Sequence, residues 1–263
     1  MLSLDLEKSA QTLRLSLKKV GVAEPPEAEV AFLLDVSGSF EGDHTSGETN
    51  RLLSRLVPWS MVFDPDRKID VFTFSDGAYY VGEANDQNYA NYIRNRVVEK
   101  VPGWNGGTNF SPVLTKAIEH MGWAKETALK KNNLNSKPRG WLGRWFDKIF
   151  GRYGAPEECL TAPSGTSGKT ALLAQVTDGE NYDTGDTREV LRNAMREGYR
   201  IFFLFVGIER SGREFRFLTD IDREFDNVGF VRVSDIGSFV RLSDEEINQR
   251  FLVPKLIDWL KAE

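Results

Sequence analysis

The chain is poor in the residues that most often announce chemistry. It has one cysteine, Cys159, in 263 residues. An intrachain disulfide is therefore excluded, and a single thiol suits a reducing compartment. Histidine is almost as scarce, with only His44 and His120. No apolar run approaches the roughly 18 residues that a membrane-spanning helix needs. The N-terminus lacks a basic region followed by an apolar block, the pattern of a secretion signal. Positive charge is not in excess either. Lys and Arg number 34 against 39 Asp and Glu, giving a net charge of −5 and a pI near 5.4. That balance speaks against a nucleic-acid partner. A cytoplasmic protein is the expectation.

What the chain does have is apolar residues, 40% of the total, enough for a full core. They fall into short β-favouring runs at Val30 to Leu34, Ile69 to Phe74, Ala171 to Val176, Ile201 to Ile208 and Val228 to Val233. Ala78 to Val81 fits a short antiparallel edge strand. Between the runs lie helical patterns. Residues 5–20 carry Leu6, Leu13, Leu17 and Val20 on one helical face, although Leu13, Leu15 and Leu17 also alternate as a strand would. Further helices are expected at Thr49 to Phe63, kinked or split at Pro58, and at Asn88 to Val101. Ser111-Pro112 suits an N-cap and first turn, and Asp186 an N-cap for Thr187 to Glu197 before Gly198. Glu214 to Leu218 reads as a short helix, Ser243 with Glu246 as a capping box, and Pro254 as a restart. Strands alternating with helices read as an α/β fold.

Three loops of this pattern carry oxygen-bearing side chains. The first buried run stops at Asp35-Val36-Ser37-Gly38-Ser39, one carboxylate and two hydroxyls at alternate positions. Open α/β sheets place ligand sites at the carboxyl ends of their strands. Hard cations such as Mg²⁺ take oxygen ligands, few carboxylates and several waters. A glycine-rich loop, Pro102 to Thr108, brings Thr108 up to the expected helix at Ser111. The run Ala171 to Val176 delivers Thr177-Asp178-Gly179. One similar stretch is a decoy. Gly168-Lys169-Thr170 ends like a phosphate-binding loop, but position 163, where the first glycine belongs, is Pro163, and the segment precedes a strand. Glu41, Asp43 and His44, in the polar stretch Phe40 to Thr49, are expected as solvated loop residues, and Asp76 as a turn residue.

Taken together, DVSGS at 35–39, GGT at 106–108 and TDG at 177–179 resemble the von Willebrand factor A (vWA) domain with its metal-ion-dependent adhesion site. The resemblance runs from about Glu29 to the C-terminus. The N-terminal LDLEKSAQTLRLSLKKVGV with LDVSGSF is also similar to vWA proteins of bacterial tellurium-resistance and stress gene clusters. The resemblance implies a Rossmann-like, doubly wound α/β fold. Its six-stranded sheet would be mostly parallel, with one antiparallel edge strand and helices on both faces. It implies that Asp35, Ser37, Ser39, Thr108 and Asp178 hold Mg²⁺, Mn²⁺ or Ca²⁺, directly or through water. A partner protein's Asp or Glu would complete the shell. It implies a binding module in a cytoplasmic stress-related complex, not an enzyme. Residues 1–28 would be a helical extension and 29–263 the vWA domain.

The segment 125–168 falls outside that pattern. Lys125 to Arg152 holds eight Lys and Arg against Glu126 and Asp147. Trp141, Trp145 and Phe146 stand among them. Such a stretch folds back on the domain, or meets a protein, or makes a peripheral membrane contact through 139–152. A membrane-surface adaptor is thus one rival function. A metal-dependent hydrolase or phosphotransferase is another. A haloacid-dehalogenase-like phosphatase would need Asp where Ser37 stands, and a Ser-His-Asp hydrolase would need a histidine in a strand-end loop.

Overall fold

A computed structural model describes residues 5–123, 168–209 and 214–262. The segment 124–167, with its basic and aromatic residues, lies outside the described residues. Six strands form one sheet: β1 Glu29–Asp35, β2 Ile69–Phe74, β3 Ala78–Ala84, β4 Ala171–Thr177, β5 Ile201–Ile208 and β6 Val228–Val233. Their order is β3-β2-β1-β4-β5-β6, with β3 antiparallel on its edge and all other pairings parallel. The chain thus winds outward in both directions from β1. The carboxyl ends of β1 and β4 adjoin at the point where strand order reverses, the place where open α/β sheets leave a crevice.

Ten helices accompany the sheet among the described residues. They are α1 Leu6–Lys19, α2 Glu41–Ser46, α3 Glu48–Phe63, α4 Tyr92–Arg96, α5 Ser111–His120, α6 Thr184–Arg196, α7 Arg216–Glu224, α8 Ile236–Phe239, α9 Asp244–Phe251 and α10 Pro254–Ala262. The pleat of β1 sorts them into two layers. Val30, Phe32 and Leu34 join the cluster that holds residues of α1, α3, α8, α9 and α10. Ala31 and Leu33 join the opposite cluster with α5, α6 and α7. Each Phe or Leu so buried contributes about 1.5–3 kcal/mol.

Helix periodicity decides the segment that also alternated. Leu13 and Leu17 are fully buried, whereas Leu15 is 55% exposed, as a 3.6-residue repeat requires and a two-residue repeat forbids. Asp5 caps α1 by accepting from Lys8 N at 3.2 Å, and Lys18 and Lys19 complete its last turn. Ser9 Oγ donates to Asp244 Oδ2 at 2.6 Å, tying α1 to α9.

Several expected boundaries move. Pro58 sits inside an unbroken α3. The helix expected over Asn88 to Val101 is a short 3₁₀ turn and α4, ending at Arg96. Strand β3 extends to Ala84 because its pairing with β2 continues to Ile69. Helix α6 starts at Thr184, with Asp183 rather than Asp186 at the cap position. Helix α7 covers Arg216–Glu224 instead of ending at Leu218. Capping by Ser243 and Glu246 is present in both directions. Among the described residues, no helix is long and apolar enough to cross a membrane.

Candidate metal centre

The five residues singled out in the sequence come from three segments that meet at the carboxyl edge of the sheet. Asp35 ends β1 and is fully buried. Its Oδ1 accepts from Ser37 N at 2.8 Å and its Oδ2 from Thr177 Oγ1 at 2.5 Å. Thr177 ends β4, beside β1, so two neighbouring strands fix one carboxylate. Burial is the main reason that the Asp35 pKa is pushed up to about 6. Hydrogen bonds from Thr177 and Ser37 offset part of that rise, and the nearby Asp178 charge adds to it.

Ser37 Oγ and Ser39 Oγ stand 3.4 Å apart, and Ser39 Oγ donates to Asp178 Oδ1 at 2.7 Å. Asp178 is fully buried and Ser37 nearly so, whereas Ser39 faces solvent. The oxygen cluster is therefore lined from below and open on the Ser39 side.

Thr108 lies on the loop before a helix, α5, as its sequence neighbours suggested. Backbone contacts carry it to the edge. Asn105 N donates to Val36 O at 2.9 Å, Ser37 bridges Gly106, and Asn109 N donates to Ser75 O at 2.8 Å. Tyr182 N donates to Thr108 O at 3.0 Å, fastening it to the β4 loop. The glycines permit this approach. A Cβ on Gly107 would meet Asp76 Oδ1 at 2.5 Å, and one on Gly106 would meet Asp76 Oδ2 and Ser75 Oγ at 2.9 Å. Asp76 is thus more than a turn residue: its Oδ2 accepts from Gly107 N at 3.2 Å.

Two further residues escaped the reading of the sequence. His44 was expected in a solvated loop, yet residues 41–46 form α2 and His44 is 2% exposed. Its Nε2 lies 2.9 Å from the Asp35 carbonyl oxygen and its Nδ1 3.0 Å from Thr49 Oγ1. A carbonyl can only accept, so the Nε2 carries the proton in that contact. The ring also contacts Phe40 and Trp104, with centroids at 4.9 and 5.3 Å. His44 is a brace behind Asp35. No local signal betrays it, since its partners lie five and nine residues away through a turn of chain.

Asp183 is the second. Its Oδ1 accepts from Phe110 N and its Oδ2 from Ser111 N, both at 2.9 Å. It therefore caps α5 from another loop, and Ser111 is the first helical residue instead of the cap. The positive end of α5 is thus taken up by the protein's own carboxylate.

Fold and strand-end loops together define a von Willebrand factor A domain. The match is narrower than that: the chain belongs to the vWA-TerF-like family, described as the vWA found in the TerF C terminus, whose model matches residues 27–129 and 159–263. No curated protein matches the chain in sequence. Among solved structures, proximal thread matrix protein 1 from the mussel byssus is 15% identical with a TM-score of 0.50, over 89% of this chain and 47% of that one. A von Willebrand factor type A protein from Catenulispora acidiphila is 15% identical with a TM-score of 0.48, over 85% and 42%. Another structure of the mussel protein, described with a zinc-occupied MIDAS motif, is 16% identical with a TM-score of 0.48, over 82% and 47%. The chain spans less than half the length of each of these structures.

Proposed function

We propose that Asp35, Ser37, Ser39, Thr108 and Asp178 hold a divalent cation that bridges this domain to an acidic side chain of a partner protein. The carrying observation is the oxygen-only cluster at the switch point. Ser37 Oγ, Ser39 Oγ and Asp178 Oδ1 are spaced at 3.4 and 2.7 Å. Adjacent ligands of an octahedral Mg²⁺ are separated by about 3 Å, since each lies about 2.1 Å from the ion. Hydroxyls and two carboxylates match a hard cation. Among the described residues, no group of three or more His, Cys, Asp or Glu side chains is arranged to hold a metal, so no all-nitrogen or thiolate site competes there.

Binding rather than catalysis fits the surroundings. Both ring nitrogens of His44 are engaged in structural contacts. His120 lies at the far end of α5 and pairs with Asp70 at 3.1 Å. Neither supplies a general base at the oxygen cluster. The helical extension, residues 1–28, reaches the core of the domain through Leu13 and Leu17, and the family relationship favours a place in a cytoplasmic stress or tellurium-resistance-type complex. Affinity capture from native cells in Mg²⁺ against chelator tests the reading. Proteins retained only with the metal are the expected outcome, and identical retention in both overturns it.

A further inference from the structure

The rim of the site has its own chemistry. The segments around the cluster, 35–47, 75–77, 101–111 and 177–186, carry eight carboxylates and no lysine or arginine. The segment 209–216, next after β5, sets Arg210, Arg213 and Arg216 against Glu209 and Glu214. A bound divalent cation removes two negative charges and leaves the edge acidic. A lone carboxylate approaching such an edge is repelled at long range, although the ion attracts it at contact. Positive neighbours on the incoming segment reverse that repulsion.

A second observation comes from Tyr182, which is 76% exposed beside the cluster. Its Cδ2 lies 3.7 Å from the place a Gly107 Cβ would occupy. The backbone beneath it is fixed. Tyr182 N donates to Thr108 O, the buried Asn181 Nδ2 donates to Thr187 Oγ1 at 2.9 Å, and Asn181 Oδ1 accepts from Asp183 N at 3.1 Å. A large aromatic ring is thus presented to solvent from a held loop, which lowers the ordering cost of a contact. On an acidic surface, the group such a ring favours is a lysine or arginine.

We propose that this rim selects a protein segment whose metal-binding Asp or Glu is flanked by Lys or Arg, one of them lying over Tyr182. The central acid rests on the metal-bridge reading; the flanks rest on the rim charge and Tyr182. Labelled peptides with a central Glu between lysines, or between glutamines, are titrated with the full chain in Mg²⁺ by fluorescence anisotropy. The lysine-flanked peptide is expected to bind about tenfold tighter at low salt. The gap narrows as salt shortens the screening length. Tyr182→Ala is expected to weaken the lysine-flanked peptide about twofold to fivefold and leave the glutamine-flanked one unchanged.

Equal affinities for the two peptides overturn the rim proposal while leaving the metal bridge intact. A lysine preference that chelator does not weaken keeps the rim proposal and overturns the metal bridge. Loss of both peptides in Tyr182→Ala removes the role given to the ring. Magnesium-promoted dimerisation of the chain alone assigns the rim to a second copy and overturns a foreign partner.

Discussion

The two ends of the sheet both gather carboxylates and treat them in opposite ways. At the amino end, Glu29 pairs with Lys169, and Lys68 lies 3.3 Å from Asp66 and 3.0 Å from Glu83. The chain brings its own cations to these acids. At the carboxyl end, Asp35 is fully buried, and its carboxylate accepts from a hydroxyl and a backbone N–H, Thr177 Oγ1 and Ser37 N. Ammonium groups close the first cluster. Neutral donors orient the second, as the proposed cation site requires. Burial without a lysine is costly for an ionised carboxylate, and that cost is what a divalent ion relieves.

The largest test of this contrast is metal stabilisation. Mg²⁺ is expected to raise the melting temperature of the native chain by several degrees at concentrations well above Kd. Asp35→Ala abolishes the rise, whereas Glu29→Ala keeps it. A shift that survives Asp35→Ala, or is lost in Glu29→Ala, would erase the distinction between the ends.

Next comes the brace. His44→Ala removes two buried hydrogen bonds and leaves a cavity among Phe40, Trp104 and β1. It is expected to cost about 2–4 kcal/mol in urea unfolding and to weaken the Mg²⁺-induced shift. A cost below about 0.5 kcal/mol would deny His44 that role. Removing the borrowed cap in Asp183→Ala is expected to cost about 1–2 kcal/mol, since Phe110 N and Ser111 N lose their acceptor.

The amino end has a pH signature of its own. Burial, with the neighbouring Asp66 and Glu29 charges, pushes the Asp64 carboxyl up to about 7. A raised pKa means the folded state holds a proton that the unfolded chain releases near pH 4. Asp64 therefore favours folding most at low pH and loses that contribution as pH rises through about 7. Asp64→Asn is expected to flatten the stability profile between about pH 4 and pH 7, where only the folded state holds the proton; an unchanged slope would assign it to other groups. The smallest effect belongs to Lys169→Met. Lys169 is exposed, so loss of its ion pair with Glu29 is expected to cost at most about 0.5 kcal/mol, fading in high salt.

Much of this was legible in one dimension. Hydrophobic runs located five of the six strands, because a strand buried on both faces must be apolar at nearly every position. Strand β3, half-exposed at the sheet edge, carries no such run. The residue types at Asp35, Ser37 and Ser39 were legible too, but strand alternation is not what brings them together, since β1 ends at Asp35 and Ser39 lies in a 3₁₀ turn, Gly38–Phe40. Less legible were the ends of helices. Asp183, not Asp186, sits at the start of α6 while its carboxylate caps α5. A side chain that serves another element leaves no trace in its own neighbourhood.

The sequence by itself determined the α/β alternation, the family, and the oxygen-bearing residues available to a cation. These follow from local pattern and residue chemistry. Tertiary structure alone decided how the Thr108 loop is fastened beside β1 and β2, by Val36 and Ser75 backbone atoms. It alone turned His44 from a polar residue in a loop into a buried brace, and Tyr182 into an exposed ring on a fixed backbone. The reason is physical. Strand and helix propensities act over a few neighbouring residues, whereas burial and hydrogen bonding join groups that only the closed fold brings within 3 Å.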